Sequence, residues 1–221
     1  AYFKNLLLEI INLKKKKKIV ISPSGGVDSS KFYLKNENKE EKRIIYCSRF
    51  DKDKGWDDYI EAASILLAKD KEYKFTMIGY GKETNNVIEL LNRNKIFDRV
   101  ELIVNPKQSL IAQKYAESDV FIFPTRLPES LGLVALEAMS CGLVTIASEV
   151  GAIPEYVVNN KTGFLYEKGN IEELVERIEF YFSLDKENKE YMKMAVLEMA
   201  EKYKDGNVQE VFLEEINNLV G

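Results

Sequence analysis

Two glutamates, Glu129 and Glu137, are the residues of this 221-residue chain whose type and spacing most invite chemistry. Glu129 falls in the loop after a strand, at the start of a helix, and Glu137 lies eight residues on, about two turns, so both carboxylates can point to similar azimuths on one helix. Gly132, between them, lets a ligand come close to the backbone. A helix starting there would offer the free amides of Ser130 to Leu133 at the positive end of its dipole, a ready anion site. Glu137 is embedded between Ala135-Leu136 and Ala138-Met139. A carboxylate in such an apolar run is costly unless something hydrogen-bonds it, and vicinal hydroxyls of the ribose kind are suitable donors. The plainer alternative is an N-cap glutamate followed by a surface glutamate on an ordinary helix. The apolar setting of Glu137 weighs against it.

The elements that must position these residues follow from hydrophobic periodicity. Short apolar runs at Arg43–Ser48, Tyr73–Ile78, Val100–Val104, Val120–Phe123, Val144–Ala147 and Gly163–Tyr166 read as strands. Helical patterns separate them at Gly55–Ala68, Glu83–Arg93, Gln108–Glu117 and Leu133–Cys141, and helices at about 170–184, 187–203 and 206–219 close the chain. Strands that alternate with helices and are apolar on both faces predict an α/β fold, a Rossmann-like parallel sheet covered on both sides. Ligands in such folds bind beyond the carboxyl ends of the strands. The chemistry is therefore expected in Ser48–Gly55, Gly79–Gly81, Val104–Lys107, Pro124–Gly132 and Ser148–Pro154. Ahead of the alternation lie an amphipathic helix over 3–13, the run Lys14–Lys18, a strand Ile19–Ile21 and a polar connection over 35–43.

Composition narrows the function classes. With no histidine, the chain supplies neither an imidazole base nor a histidine metal ligand. A formal net charge of -4 and a sequence pI near 5.3 give no basic field for nucleic acid. Cys47 and Cys141 lack metal-ligand or CxxC spacing, so reduced buried thiols are expected, and no metal site. No apolar stretch is long enough to span a bilayer, and the run Leu6-Leu7-Leu8 is cut by Glu9. The expected compartment is the cytoplasm. A peripheral contact of Lys14–Lys18 with the inner face of the membrane is the minority reading, since five lysines alone attract anionic lipid only modestly.

The stretch from Pro124 to Glu155 resembles the signature of the retaining glycosyltransferases of the GT-B fold, the large fourth sequence family of glycogen-synthase-like and sucrose-synthase-like enzymes. The matching elements are Glu129, Glu137, Cys141-Gly142, Val144–Ser148, Val150-Gly151-Ala152-Ile153-Pro154-Glu155 and Asn160-Lys161-Thr162-Gly163. Upstream, Arg49 with Lys54-Gly55 looks like the family's diphosphate-binding pair, Gly79-Tyr80-Gly81 like its Gly-x-Gly loop, and Ser118–Pro124 like the strand into its active site. The resemblance covers residues 19–166. Leu143, Ala152 and Thr125 depart mildly from the common Pro, Gly and Ser.

The resemblance implies a donor-binding domain over 19–221, with 1–18 a linker helix or the remnant of an N-terminal acceptor domain. It implies a catalytic set of Glu129, Arg49 and Lys54, in which Glu129 contacts the transferred sugar while Arg49 and Lys54 neutralise the diphosphate. Donor binding would fall to Glu137 on the ribose, Gly81, and the backbone of Ser130, Leu131, Gly132 and Leu133. The partners would be a nucleoside-diphosphate sugar and a glycan or lipid-linked acceptor held by the N-terminal domain, with no cofactor and no metal.

Two other readings compete. Ser24-Gly25-Gly26-Val27-Asp28-Ser29-Ser30 spells the pyrophosphate loop of the ATP pyrophosphatases, which adenylate their substrates. Against it, the following Lys31–Asn36 soon becomes charged instead of opening an apolar helix, and the regular alternation starts only near residue 43. A non-catalytic nucleotide-binding module is the other, since the length fits one such domain without a partner.

Overall fold

The computed structural model describes Tyr2, Leu6, residues 25–35 and residues 42–220. The expected helix over 3–13 (Leu6 apart), the run Lys14–Lys18, the strand Ile19–Ile21, Ser24 and the 36–41 part of the polar connection lie outside the described residues. From residue 43 the order is β1 (Arg43–Cys47), α1 (Trp56–Lys69), β2 (Lys74–Gly79), α2 (Thr84–Arg93), β3 (Val100–Val104) and α3 (Gln108–Glu117). It continues with β4 (Val120–Phe123), α4 (Leu133–Ser140), β5 (Val144–Ser148), β6 (Gly163–Tyr166), α5 (Ile171–Ser183), α6 (Lys186–Glu201) and α7 (Asp205–Val220).

The strands form one six-stranded sheet in the order β3-β2-β1-β4-β5-β6, and every pairing is parallel. Parallel strands need crossovers, which the intervening helices supply. All of β4 and β5 is buried. This is why they read as unbroken apolar runs instead of alternating ones. The helices form two mutually touching groups, α1 with α2 and α5, and α4 with α3 and α6, covering the two faces. Within this core Tyr46 meets Tyr59, and Tyr115 meets Phe121, ring to ring. No helix among the described residues is long and apolar enough to cross a membrane.

The chain begins its sheet at β1, builds outward to β3, then crosses back to lay β4 on the other side of β1. The order reverses between β1 and β4, whose register pairs Tyr46 with Ile122. At such a switch point the loops leaving the two strands diverge to opposite faces and open a crevice. The loops there are Ser48–Gly55 and Pro124–Gly132. They are distant in sequence and adjacent in space.

Candidate active site

A cleft of about 420 Å³ opens at this switch point. Arg49 and Lys54 line it from the β1 loop, and Glu129 through Leu133 from the β4 loop. Its apolar walls come from Ile78, Pro106, Ile111 and Phe123, with Tyr80 at the rim, 54% exposed.

The Lys54 ammonium lies 2.7 Å from Glu129 Oε1, with both side chains more than four-fifths buried. The same oxygen accepts a hydrogen bond from Thr125 Oγ1 at 3.1 Å. Backbone contacts fix the other end of each residue. The Ala152 amide donates to the Glu129 carbonyl at 2.9 Å, and the Tyr46 hydroxyl reaches the Lys54 carbonyl at 3.3 Å. Arg49 is held differently. Its guanidinium lies 3.1 Å from Asp51, yet its side chain is 63% exposed. Exposed pairs of this kind contribute only about 0–1 kcal/mol, so Arg49 is available to an incoming anion at little cost.

Gly132 takes the left-handed conformation (φ 78°) at the N-cap of α4. A Cβ there would lie 2.7 Å from the Tyr156 hydroxyl and 2.9 Å from the Phe123 ring, so backbone is all the position admits. The amides of Leu131, Gly132 and Leu133 meet no acceptor among the described residues. They sit on the cleft wall at the positive end of the helix dipole, where an anion is favoured.

One geometric expectation is corrected. Glu129 and Glu137 do not share a helix, because α4 starts only at Leu133 and Glu129 lies in the preceding loop. The helix cannot begin earlier because Gly132 is left-handed and the Glu129 backbone is pressed onto Gly151, whose Cβ would come within 2.5 Å of it. Glu137 stands one turn along α4 from Leu133, partly buried, and is not among the residues that line the cleft. Burial pushes its carboxyl up to about 7, opposed by the charge of Lys31. It is near enough to Cys47, on the cleft wall, to help push that thiol up to about 12, a shift caused mainly by burial. Gly81 also falls outside the lining and instead packs on the Phe50 backbone, which holds the two loops together at Phe50 N–Tyr80 O, 2.7 Å.

Sequence reasoning passed over Tyr80, Thr125 and Arg126. An exposed aromatic between two glycines after a strand was a signal for Tyr80. Nothing local marks Thr125, whose hydroxyl reaches Glu129 within its own loop, or Arg126, whose partners come from another part of the chain. The Gly25–Ser30 segment behaves unlike a pyrophosphate loop. Val27 pairs with Lys204, its amide donating to Tyr203 O at 2.7 Å, and residues 29–31 form a turn where such a loop would open a helix.

The fold and the site define a class, a doubly wound parallel α/β domain with a cation-and-amide-lined cleft at its switch point. The chain belongs to the glycosyl transferases group 1 family, whose model matches residues 30–196. It is 32% identical over 186 residues to the capsular polysaccharide biosynthesis glycosyltransferase CapM of Staphylococcus aureus, covering 76% of this chain and 47% of that protein. It is 35% identical over 133 residues to the N-acetyl-alpha-D-glucosaminyl L-malate synthase of Bacillus anthracis, covering 60% of this chain and 34% of that protein. The chain thus spans about half or less of the length of these curated relatives. Among solved structures, the C-terminal domain of a group 1 glycosyl transferase from Francisella tularensis superposes with a TM-score of 0.71 at 25% identity, covering 81% of this chain and 99% of that one. The pneumococcal O-GlcNAc transferase GtfA, in complex with UDP and GlcNAc, shares the fold with a TM-score of 0.83 at 19% identity, covering 99% of this chain and 44% of that one.

Proposed function

We propose that this chain is the donor-binding domain of a retaining GT-B glycosyltransferase of the fourth sequence family. It takes a sugar from a nucleoside diphosphate and passes it to a glycan or lipid-linked acceptor held by an N-terminal domain. The observation that carries this is the switch-point cleft, where Lys54, Arg49 and the amides of Leu131 to Leu133 face a single volume together with Glu129.

Breaking the bond between the anomeric carbon and the diphosphate leaves negative charge on the phosphate oxygens. Preorganised cations and amides stabilise that charge most where it develops. Arg49 and Lys54 supply the cations and the N-terminus of α4 the amides, so the reading requires no divalent ion. Glu129 gives up Lys54 to the diphosphate and turns its carboxylate to the hydroxyls of the transferred sugar. Glu137 accepts hydrogen bonds from the ribose hydroxyls, which provides the partner its burial calls for. The solved relative that holds UDP and GlcNAc supports a nucleoside diphosphate as the donor's leaving group.

Calorimetric titration with UDP, GDP, ADP and ATP tests the reading. One nucleoside diphosphate should bind in preference to ATP, and EDTA should leave that binding unchanged. A preference for ATP with pyrophosphate release would overturn it in favour of an adenylating enzyme. Binding of a nucleoside diphosphate without sugar transfer by the full-length protein would leave a binding module.

A further inference from the structure

Arg126 makes no contact with the cleft, yet it bridges the two loops that form it. Its guanidinium lies 2.8 Å from Asp57 and also bonds Asp58, both in the first turn of α1. Its own amide donates to the Asp53 carbonyl at 2.8 Å. Asp53 and Gly55 flank Lys54. Thr125, next to Arg126, donates to Glu129. The two segments are in backbone contact here, since a Cβ on Gly55 would lie 1.9 Å from the Pro124 carbonyl oxygen.

The site is expensive to build. A cation at a helix N-terminus meets the wrong end of the dipole. Asp58 is 3% exposed, and burial pushes its carboxyl up to about 6 despite the adjoining guanidinium. Its Oδ2 and the nearby Tyr166 hydroxyl are buried without hydrogen-bond partners among the described residues. Packing alone would favour apolar residues at such positions. What the side chain gives in return is orientation, since it ties the Glu129 loop at two points to the helix turn that follows Lys54, beside the backbone tie from the Arg126 amide to Asp53.

We infer that Arg126 is a positioning residue for diphosphate recognition, clamped by Asp57 and Asp58 so that Lys54 is held opposite Glu129 and within reach of the phosphates. The inference rests on the donor-site reading above. It assigns Arg126 no contact with the ligand. Its action runs through Lys54.

A double-mutant cycle separates this role from a merely structural one. The nucleoside diphosphate among UDP, GDP and ADP that binds tightest is titrated into the wild type, Arg126→Met, Lys54→Met and the double variant, with melting followed for each. Arg126→Met should weaken binding about tenfold when Lys54 is present and less than about twofold when it is absent, because coupled residues depart from additivity. Arg126→Lys should recover part of the loss. If Arg126→Met does not fold, Asp58→Asn combined with Arg126→Met leaves no lone charge at Asp58, and the same cycle is run on that background. An equal loss with and without Lys54, or lowered melting with unchanged affinity, would overturn the positioning role while leaving the donor site standing. Unchanged affinity in Lys54→Met would overturn the donor-site reading, and the clamp with it.

Discussion

The loop carrying Glu129 and the helix carrying Glu137 place two carboxylates beside one cleft in opposite states. Glu129 already has a cation and a hydroxyl on one oxygen, brought from the β1 loop and from its own loop. Among the described residues, Glu137 has the charge of Lys31 against the cost of burial, and its carboxyl is pushed up to about 7. The first must exchange partners when a ligand arrives, whereas the second must acquire them. A site can therefore prepare one carboxylate by pairing it and the other by leaving it underprovided, and substitutions should tell the two apart.

The largest effect is expected at the paired residue. Lys54→Ala should weaken nucleoside diphosphate binding by roughly 10- to 100-fold, the scale of a charge-assisted hydrogen bond lost at a partly buried site. An affinity within twofold of wild type in calorimetry would end the assignment of Lys54 to the phosphates.

The underprovided carboxylate should show itself in stability. The folded pKa of Glu137, about 7, lies above its ordinary value of 4.5. The native state therefore holds more protons than the unfolded chain between those values, and stability contributed by Glu137 is lost as pH rises through that window. Glu137→Gln should remove this slope and stabilise the ligand-free protein above pH 7, by on the order of 2 kcal/mol. Urea unfolding at pH 5 and pH 8 measures it. A wild-type protein whose stability does not fall between the two would count against a buried, unpaired Glu137. Glu137→Gln should also weaken a ribose nucleotide while sparing inorganic phosphate.

Arg49→Ala should give the smallest change, about three- to tenfold in nucleoside diphosphate affinity, because an exposed cation acts through screened charge. That loss should shrink further in high salt, whereas the loss in Lys54→Ala should persist. Equal salt dependence for both would erase the difference drawn between a buried, engaged lysine and an exposed arginine.

Much of this was legible in the residues. The strands β1 to β6 and helices α1 to α7 follow from apolar periodicity, which reports burial element by element and needs no knowledge of partners. The loops after the strands, with Glu129, Gly132 and Lys54 in them, follow from where that periodicity stops. Glu137 announced itself by being charged in an apolar run. Strand order was different. Nothing in the spacing of Arg43–Cys47 and Val120–Phe123 says that they pair, because parallel neighbours are joined by crossovers whose path local pattern does not encode. That pairing brings Lys54 to Glu129 across 75 positions of sequence, and Arg126 to Asp58 across 68. The left-handed turn at Gly132 set where α4 begins, separating two glutamates whose spacing alone had put them on one helix. The sequence by itself determined which residues are costly or exposed and on which elements they ride. The tertiary structure alone decided which of them meet, since pairing is a property of the packed sheet and charges find partners only once the chain has turned back on itself.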